Sequence, residues 1–269
     1  MKWKTDWDDA IDPKSMFSKC EKLLRKNGVC ILFSQEPYTS QMITQTHWNM
    51  PFNYRMIWKK DHFANALVAK KAPVSYFEDI CVFTKDYDTD FLHPLRPYSK
   101  KILDYIWKWL REINKELWHR RLEHFFYHDT LQFWLCTEKS YIELIEKYNI
   151  DCMDWFFEFS YLEEIEKRFE KRFNLQEWKK YKSNILEYKK DYSWLHPTQK
   201  PVALIEDLVC TYTNPWDLVL DFTAWSFTTA VACENTWRKW VCIEKDENYF
   251  EIWCERLLEW YRKIDALDI

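Results

Sequence analysis

Two acidic residues near the carboxyl end of the chain have the spacing expected of a nucleoside-binding site. Asp221 ends a predicted strand, a short loop follows, and Glu244 ends the next predicted strand about 20 residues further on. Such a loop lets the backbone approach a ligand, while the second carboxylate accepts hydrogen bonds from both ribose hydroxyls. The alternative is that Glu244 is a solvated carboxylate at the end of a strand. We therefore expect a cofactor loop at residues 219–227.

The loop contains a residue that does not suit it. A strand-to-helix turn that cradles a cofactor needs a residue without a Cβ, and Trp225 is the least suitable replacement. The whole chain has 1 glycine and 17 tryptophans, whereas a domain of this length usually carries roughly 19 glycines. The composition is therefore as unusual as the loop.

A second candidate binding segment is His196-Pro-Thr-Gln-Lys-Pro201. Its two prolines fix the backbone, and His196, Thr198, Gln199 and Lys200 offer hydrogen-bond donors within five positions. This pattern forms a poor helix but a good ligand clamp.

The elements around these segments predict an α/β fold. Residues 14–26 predict an amphipathic helix with Gly28 as its C-cap, and strands are predicted at 29–33, 54–58 and 80–83. After residue 193 the pattern predicts a helix at 202–212, a strand at 218–221, a helix at 228–235, a strand at 240–243 and a helix at 247–263. This is a βαβ unit closed by a helix, the half-module of a doubly wound sheet.

The middle of the chain, from about 86 to 192, is helical in pattern and rich in charge. The best segments are 102–113, 138–148 and 161–173, with Thr137 as an N-cap and Ser160 with Glu163 as a capping box. Such an insert could place a helix in a DNA groove, or it could be a structural helical subdomain. The residues alone leave both interpretations open.

Length, charge and cysteine content narrow the class of protein. The 269 residues can bury a sizeable core, and the net charge of −4 leaves only local basic pairs, such as Lys70-Lys71 and Arg120-Arg121, for contacts with nucleic acid. Nine cysteines without paired C-x-x-C spacing favour reduced thiols, and the N-terminus has no apolar secretory signal. We expect a cytoplasmic protein without a membrane span.

The segment from His196 to Glu255 resembles the amino-group DNA methyltransferases of the permuted type, in which the catalytic region comes first and the cofactor loop last. The segments Asn27–Pro37, Ala69–Pro73 and Glu78–Phe83 look like the first half of such an enzyme. The resemblance implies a doubly wound, Rossmann-like sheet with its central strands missing. It also implies three parts: residues 1–85 as the catalytic side, 86–192 as the helical target-recognition insert and 193–269 as the cofactor-binding half.

The same resemblance implies a function. Members transfer a methyl group from S-adenosylmethionine to adenine N6 or cytosine N4 of double-stranded DNA. A member can have a cognate restriction endonuclease as its partner in a restriction-modification system, and the sequence does not reveal whether this chain has one. Carried over position by position, Glu244 holds the ribose and His196, Thr198 and Lys200 hold the methionine end. The cofactor loop itself consists of Asp221, Phe222, Ala224, Trp225, Ser226 and Thr228.

The family's catalytic tetrad is absent from the sequence. That tetrad is an Asp, Asn or Ser followed by Pro-Pro and an aromatic residue, and it grips the amino group of a flipped base. Asn49-Met-Pro-Phe52 is a near match that follows no apolar strand, so we interpret it as a decoy. In relatives the segment resembling Lys2–Asp6 lies shortly after the tetrad. This suggests an N-terminally truncated gene product or gene model, a hypothesis that an upstream extension without the tetrad would contradict.

Many tryptophans fall where relatives commonly have glycine. Trp194, Trp216, Trp225 and Trp237 do so most clearly, whereas Trp3, Trp58 and Trp240 look native. Our hypothesis is that a codon read as glycine by the source, UGA, has been rendered as tryptophan. Phe227 and Cys242 do not fit this account. Further candidate positions are Trp107, Trp109, Trp118, Trp134, Trp155, Trp178 and Trp253.

Other interpretations stay open beside the methyltransferase. The runner-up is a catalytically inactive DNA-binding remnant that uses the 86–192 insert alone, and a third is a methyltransferase acting on RNA or a small molecule. His119, His124 and His128 could suggest a metal site, but they lack clustered cysteine or carboxylate ligands. We expect surface or packing histidines and no metal.

Overall fold

The structure is a computed structural model that describes residues 10–64, 69–171, 173–175, 180–191 and 199–265. The chain divides into two compact units. Unit 1 comprises Met1–Cys30, Ser40–Asn53 and Phe83–Lys171, and unit 2 comprises Ile31–Thr39, Tyr54–Val82 and Arg172–Ile269.

The first helix, α1 (Pro13–Leu23), begins where sequence reasoning expects but ends earlier. Asp12 caps it by accepting a hydrogen bond from the Ser15 N–H at 2.9 Å. The prediction of Gly28 as its C-cap was wrong, because the helix ends at Leu23 and Asn27, not Gly28, has the positive φ of 64°. Gly28 is needed for space instead: a Cβ there would lie 2.8 Å from the Arg25 carbonyl oxygen.

Short helices form most of unit 1 and enclose its hydrophobic core. They are α3 (Arg96–Ile106), α4 (Leu110–Leu117), α5 (Glu123–Phe126), α6 (Glu138–Tyr148) and α7 (Phe159–Glu170), with a 3-10 turn at Ile150–Cys152. The fully buried side chains among them include Ile102, Ile113, Phe125, Tyr141 and Leu162. The helix α2 (Tyr38–Thr44) spans the boundary of the two units in sequence.

The helical predictions for this region had mixed outcomes. Thr137 caps α6 as predicted, since its hydroxyl accepts from the Ser140 N–H. The predicted helix 102–113 is two helices, because Trp107 takes a left-handed conformation with φ of 54°. The predicted capping box at Ser160 was wrong: α7 begins at Phe159, preceded by Glu158.

Four strands form one sheet. They are β1 (Val29–Ser34), β2 (Phe52–Ala64), β3 (Ser75–Thr84) and β4 (Ile185–Glu187), in the order β1-β3-β2-β4. β2 and β4 are parallel, with Ile57 opposite Ile185. The sequence predicted β1 and only parts of β2 and β3, and it missed the three-residue β4.

The carboxyl-terminal part of unit 2 is the predicted βαβ unit. It contains α8 (Val202–Tyr212), β5 (Leu218–Asp221), α9 (Thr228–Asn235), β6 (Lys239–Cys242) and α10 (Glu247–Asp265). β5 and β6 are parallel, with Asp221 opposite Cys242. A core of Ala224, Phe227, Ala230, Val231, Trp253 and Leu257 holds α9 and α10 together. The predicted bounds of α8, β5 and α9 are confirmed.

All nine cysteines are free. None of the helices in the described ranges has the length and apolar character that crossing a bilayer requires.

Candidate cofactor site

The two carboxylates of the predicted nucleoside site lie at the same edge of the parallel pair β5 and β6. Asp221 is the last residue of β5, and Glu244 follows β6 by two residues instead of ending it. Because parallel strands bring their carboxyl ends to one edge, ligands of such folds bind there. The structure therefore brings Asp221 and Glu244 to the same edge of this parallel pair.

Both oxygens of Glu244 accept hydrogen bonds from backbone N–H groups. Oε2 accepts from Trp225 at 3.0 Å, and Oε1 accepts from Asp246 at 2.9 Å. Asp221 is held in a similar way, with Oδ2 accepting from the Thr229 hydroxyl at 2.6 Å and Oδ1 from the Thr223 N–H at 3.1 Å. These contacts fix both carboxylates and tie Glu244 directly to the loop.

The loop itself has an unusual backbone. Trp225 has φ of 31° and Phe227 has φ of 45°, both in the left-handed region that favours glycine. The Ala224 N–H donates to the Ile243 carbonyl at 3.0 Å, and Ala224 is buried. The hydroxyls of Ser226 and Thr228 lie 2.8 Å apart at the start of α9, and both residues are buried.

Phe227 differs from Trp225 in the use of its side chain. The Phe227 ring is buried and stacks on Trp253, with ring centroids 5.8 Å apart. Phe222 and Trp225 are only partly buried. A hydrophobic residue at 227 therefore contributes to the core despite its backbone conformation.

Lys200, the third residue carried over for the methionine end, lies in a charged cluster that we call the lysine cluster: Lys60, Glu78 and Lys200. The Lys200 ammonium lies 3.0 Å from Glu78 Oε2, and the Lys60 ammonium lies 2.5 Å from Glu78 Oε1. Lys200 also lies over the rings of Phe33 and Trp58. His196 and Thr198 lie outside the described residues.

Burial and charge act in opposite directions on the titration of this cluster. Burial alone would raise the pKa of the Glu78 carboxyl, but the ammonium groups of Lys200 and Lys60 outweigh it and hold the pKa below its ordinary value. Burial lowers the pKa of the Lys60 ammonium, although Glu78 opposes that change. The cluster contains two ammonium groups for one carboxylate.

Sequence reasoning did not single out Lys60 or Glu78 as neighbours of Lys200. A usable signal was present, because Glu78-Asp79 places two acidic residues inside the otherwise apolar strand β3. Buried charges are seldom found without partners. A carboxylate in a central strand therefore indicates a nearby cation, although the sequence does not say which one.

Asn49, the first residue of the near match to the catalytic tetrad, is fully buried in unit 1. Its amide donates to Glu21 Oε1 at 2.8 Å and to the Tyr87 carbonyl at 3.1 Å, and its oxygen accepts from the Tyr87 N–H at 2.7 Å. Every group of this side chain is thus engaged within the protein, which supports its interpretation as a decoy.

The three histidines have protein partners. His119 pairs with Glu143, His128 lies 3.3 Å from Asp129, and His124 stacks on Trp134 with ring centroids 3.7 Å apart. Within the described ranges, no group of three or more His, Cys, Asp or Glu residues is arranged to hold a metal ion.

Comparison with known proteins identifies the family. A sequence model described as DNA methylase, N6_N4_Mtase, matches residues 6–255. The chain belongs to this family. The methyltransferase family and its α/β fold, predicted from the cofactor loop and the segment around Lys200, are thereby confirmed.

Individual relatives match over short segments. The DNA adenine methyltransferase YhdJ of Escherichia coli (strain K12) is 42% identical over 62 residues, which is 23% of this chain and 21% of the relative. The type II methyltransferase M.HpaI of Haemophilus parainfluenzae is 36% identical over 73 residues, 27% of this chain and 23% of the relative. The matched segment therefore spans less than a quarter of either relative.

A solved structure supports the fold over a longer stretch. The M1.HpyAVI-SAM complex has a TM-score of 0.50 and 15% sequence identity, and the match covers 91% of this chain and 81% of that one. At this identity the likeness shows the fold alone.

Proposed function

We propose that this chain is an S-adenosylmethionine-dependent DNA methyltransferase that acts on the exocyclic amino group of adenine (N6) or cytosine (N4). The observation that carries the proposal is the loop after β5, whose backbone N–H at Trp225 donates to Glu244 at the carboxyl edge of β5 and β6. A fixed carboxylate beside a backbone loop is the arrangement that binds a ribose and its attached base. Membership of the DNA methylase family supports the same ligand.

The candidate residues would contact the cofactor from two regions of the chain. Glu244 would accept the ribose hydroxyls, and the loop of Asp221, Phe222, Ala224, Trp225, Ser226 and Thr228 would approach the cofactor through its backbone. Lys200, together with His196 and Thr198, would hold the methionine end. When bound, the cofactor supplies an electrophilic methyl group, and these residues hold and orient it.

The substrate side of the proposal rests on the family. Double-stranded DNA is the expected substrate, helices α3–α7 belong to the predicted target-recognition region 86–192, and a cognate restriction endonuclease stays a prediction. The sequence contains no Pro-Pro pair and therefore no family tetrad. Base methylation would then need the tetrad from a segment outside these 269 residues.

Binding and transfer can be measured separately. Calorimetry with S-adenosylmethionine on the Trp225→Gly protein should show binding, and Glu244→Gln in that background should weaken it. Fusing a tetrad-bearing upstream segment should add methyl transfer to duplex DNA, and nucleoside mass spectrometry would distinguish N6-methyladenine from N4-methylcytosine. Duplex binding without any cofactor binding would instead favour the DNA-binding remnant, and transfer to RNA alone would contradict the DNA assignment.

A further inference from the structure

Six tryptophans have a backbone conformation that favours glycine. The φ angle lies between 54° and 70° at five of them and is 31° at the sixth, and they are Trp107, Trp118, Trp155, Trp216, Trp237 and Trp225. In this region the Cβ of an L-residue crowds the following carbonyl oxygen, whereas glycine has no Cβ. Six of the ten positive-φ residues in the described chain are tryptophans, and two are asparagines, the residue type that tolerates this region best after glycine.

Three of the six end helices in the way that glycine usually does. Trp237 follows α9 in a Schellman motif: the Arg238 N–H donates to the Cys233 carbonyl at 2.9 Å and the Trp237 N–H to the Glu234 carbonyl at 3.3 Å. The first residue beyond the helix cap, here Trp237, is left-handed in this motif and is most often glycine. Trp107 and Trp118 are the left-handed residues that end α3 and α4.

Two more lie in tight turns. Asn214-Pro215-Trp216-Asp217 is closed by the Asp217 N–H, which donates to the Asn214 carbonyl at 3.1 Å, and Trp216 has φ of 70°. Proline followed by a residue with positive φ is the pattern of a type II turn, in which glycine is strongly favoured at the second central position. Trp155 has the same place in the turn from Met153 to Phe156, with φ of 67°.

The side chains of these tryptophans are mostly exposed to solvent. The five in helix ends and turns are between 62% and 92% exposed, whereas Trp58 is 1% and Trp253 is 0% exposed. Trp58 also donates its indole N–H to the Tyr188 carbonyl at 2.9 Å. Two independent properties, backbone conformation and exposure, therefore separate the same five residues from the tryptophans of the core.

We propose that the native residue at all six positions is glycine. Conformation separates the candidates that the sequence could not. Trp253 is a core residue of α10, and Trp109 and Trp134 are not among the positive-φ residues. The structure therefore does not support glycine as the native residue at these three positions. Trp178 and Trp194 lie outside the described residues.

At position 225 the proposal rests on the proposed function and deepens it. A glycine there would let the loop backbone approach the nucleoside while its N–H still reaches Glu244. The native glycine at 225 is then a positioning residue of the cofactor site.

Mass spectrometry of the protein purified from its source tests the assignment directly. Proteolytic peptides that cover positions 216 and 237 should have the masses of the glycine forms, and a peptide that covers Trp58 should retain tryptophan. Peptides with tryptophan at 216 and 237 would overturn the proposal.

A recombinant comparison tests the physical argument. Replacing all six tryptophans, for example Trp216→Gly and Trp237→Gly, should raise the melting temperature of the chain by about 10 °C, because each left-handed site loses its strain. The control Trp58→Gly should lower it, because it empties a buried site. A sixfold variant that melts no higher than the chain as written would contradict the proposal.

Cofactor affinity separates this inference from the proposed function. Trp225→Gly alone should tighten S-adenosylmethionine binding about tenfold or more. If the sixfold variant melts higher and the native peptides contain glycine, the glycine assignment holds whether or not the cofactor binds. Failure to bind in that case would count against the proposed function.

Discussion

The cofactor loop after β5 and the lysine cluster would contact the proposed cofactor by different means. The loop works through its backbone, with two left-handed residues, Trp225 and Phe227, and an N–H that donates to Glu244. The lysine cluster works through side chains, with Lys60 and Lys200 on either oxygen of Glu78. Under the proposed glycine assignment, a tryptophan would disturb only the loop, because only there would the backbone have to be free of a Cβ. The contacts of Glu78 with Lys60 and Lys200 involve none of the six tryptophans.

The lysine cluster also differs from the loop in charge. Lys60 and Lys200 both pair with Glu78, and under the proposed function Lys200 holds the anionic methionine end. The methionine end of S-adenosylmethionine has a carboxylate, whereas methylthioadenosine, which keeps the nucleoside and the thioether, has none. The two ligands can therefore report separately on the two regions.

The largest effect is expected at Glu244. In the Trp225→Gly background, Glu244→Gln should weaken binding of both S-adenosylmethionine and methylthioadenosine by about 10- to 100-fold, because a charged acceptor for the ribose is lost. Calorimetry measures both affinities. Glu247→Gln, an exposed substitution three residues away at the start of α10, is the matched control and should change neither. Equal affinities for Glu244→Gln and its parent would remove Glu244 from the ribose site.

A smaller and more selective effect is expected at Glu78. In the same background, Glu78→Gln should weaken S-adenosylmethionine about tenfold and leave methylthioadenosine unchanged, because it releases Lys200 from its fixed position. Competition of each ligand against a fluorescent nucleoside analogue gives the ratio of affinities. Glu187→Gln, which breaks the exposed Lys59 pair, is the control. A parallel loss of both ligands would indicate a purely structural role for Glu78.

The sequence predicted the loop region better than the lysine cluster, because the interactions of the two regions differ in sequence separation. The βαβ unit was predictable because its signals are local: apolar runs for β5 and β6, and an Asp and a Glu at the expected spacing. Glu244 was singled out in this way, although β6 ends at Cys242, one residue before the end of the predicted strand at 240–243. The contact between Glu78 and Lys200 joins residues far apart in sequence, so no local pattern contains it.

The error over residues 102–113 arises at a tryptophan with positive φ, as the anomaly in the loop does. The helical periodicity of residues 102–113 gave no reason to stop at Trp107, since tryptophan does not signal a helix end as glycine does. The structure nevertheless ends α3 there with φ of 54°. Reading that position as glycine would have predicted two helices instead of one. Gly28 caused the opposite error. It was predicted to be a helix C-cap, but glycine is needed there because a Cβ would lack space, not because of a positive φ.

The smallest expected effect is a change in how stability depends on pH. The pKa of Glu78 in the folded protein is lowered, because Lys200 and Lys60 together outweigh its burial. A lowered carboxyl pKa contributes stability at pH values above the unfolded pKa of about 4.3, and this contribution is lost as the pH falls through the folded pKa.

The difference in unfolding free energy between the parent and Glu78→Gln should therefore be largest near neutral pH. It should shrink as the pH falls through the folded pKa of Glu78, as measured by urea unfolding at a series of pH values. The unfolding free energy of Glu187→Gln should be almost equal to that of the parent at every pH, because the ion pair of Glu187 with Lys59 is exposed. A gap for Glu78→Gln that stays constant over this range would mean that the lysines do not stabilise the Glu78 carboxylate, and the contrast between a side-chain site and a backbone site would lose its electrostatic basis.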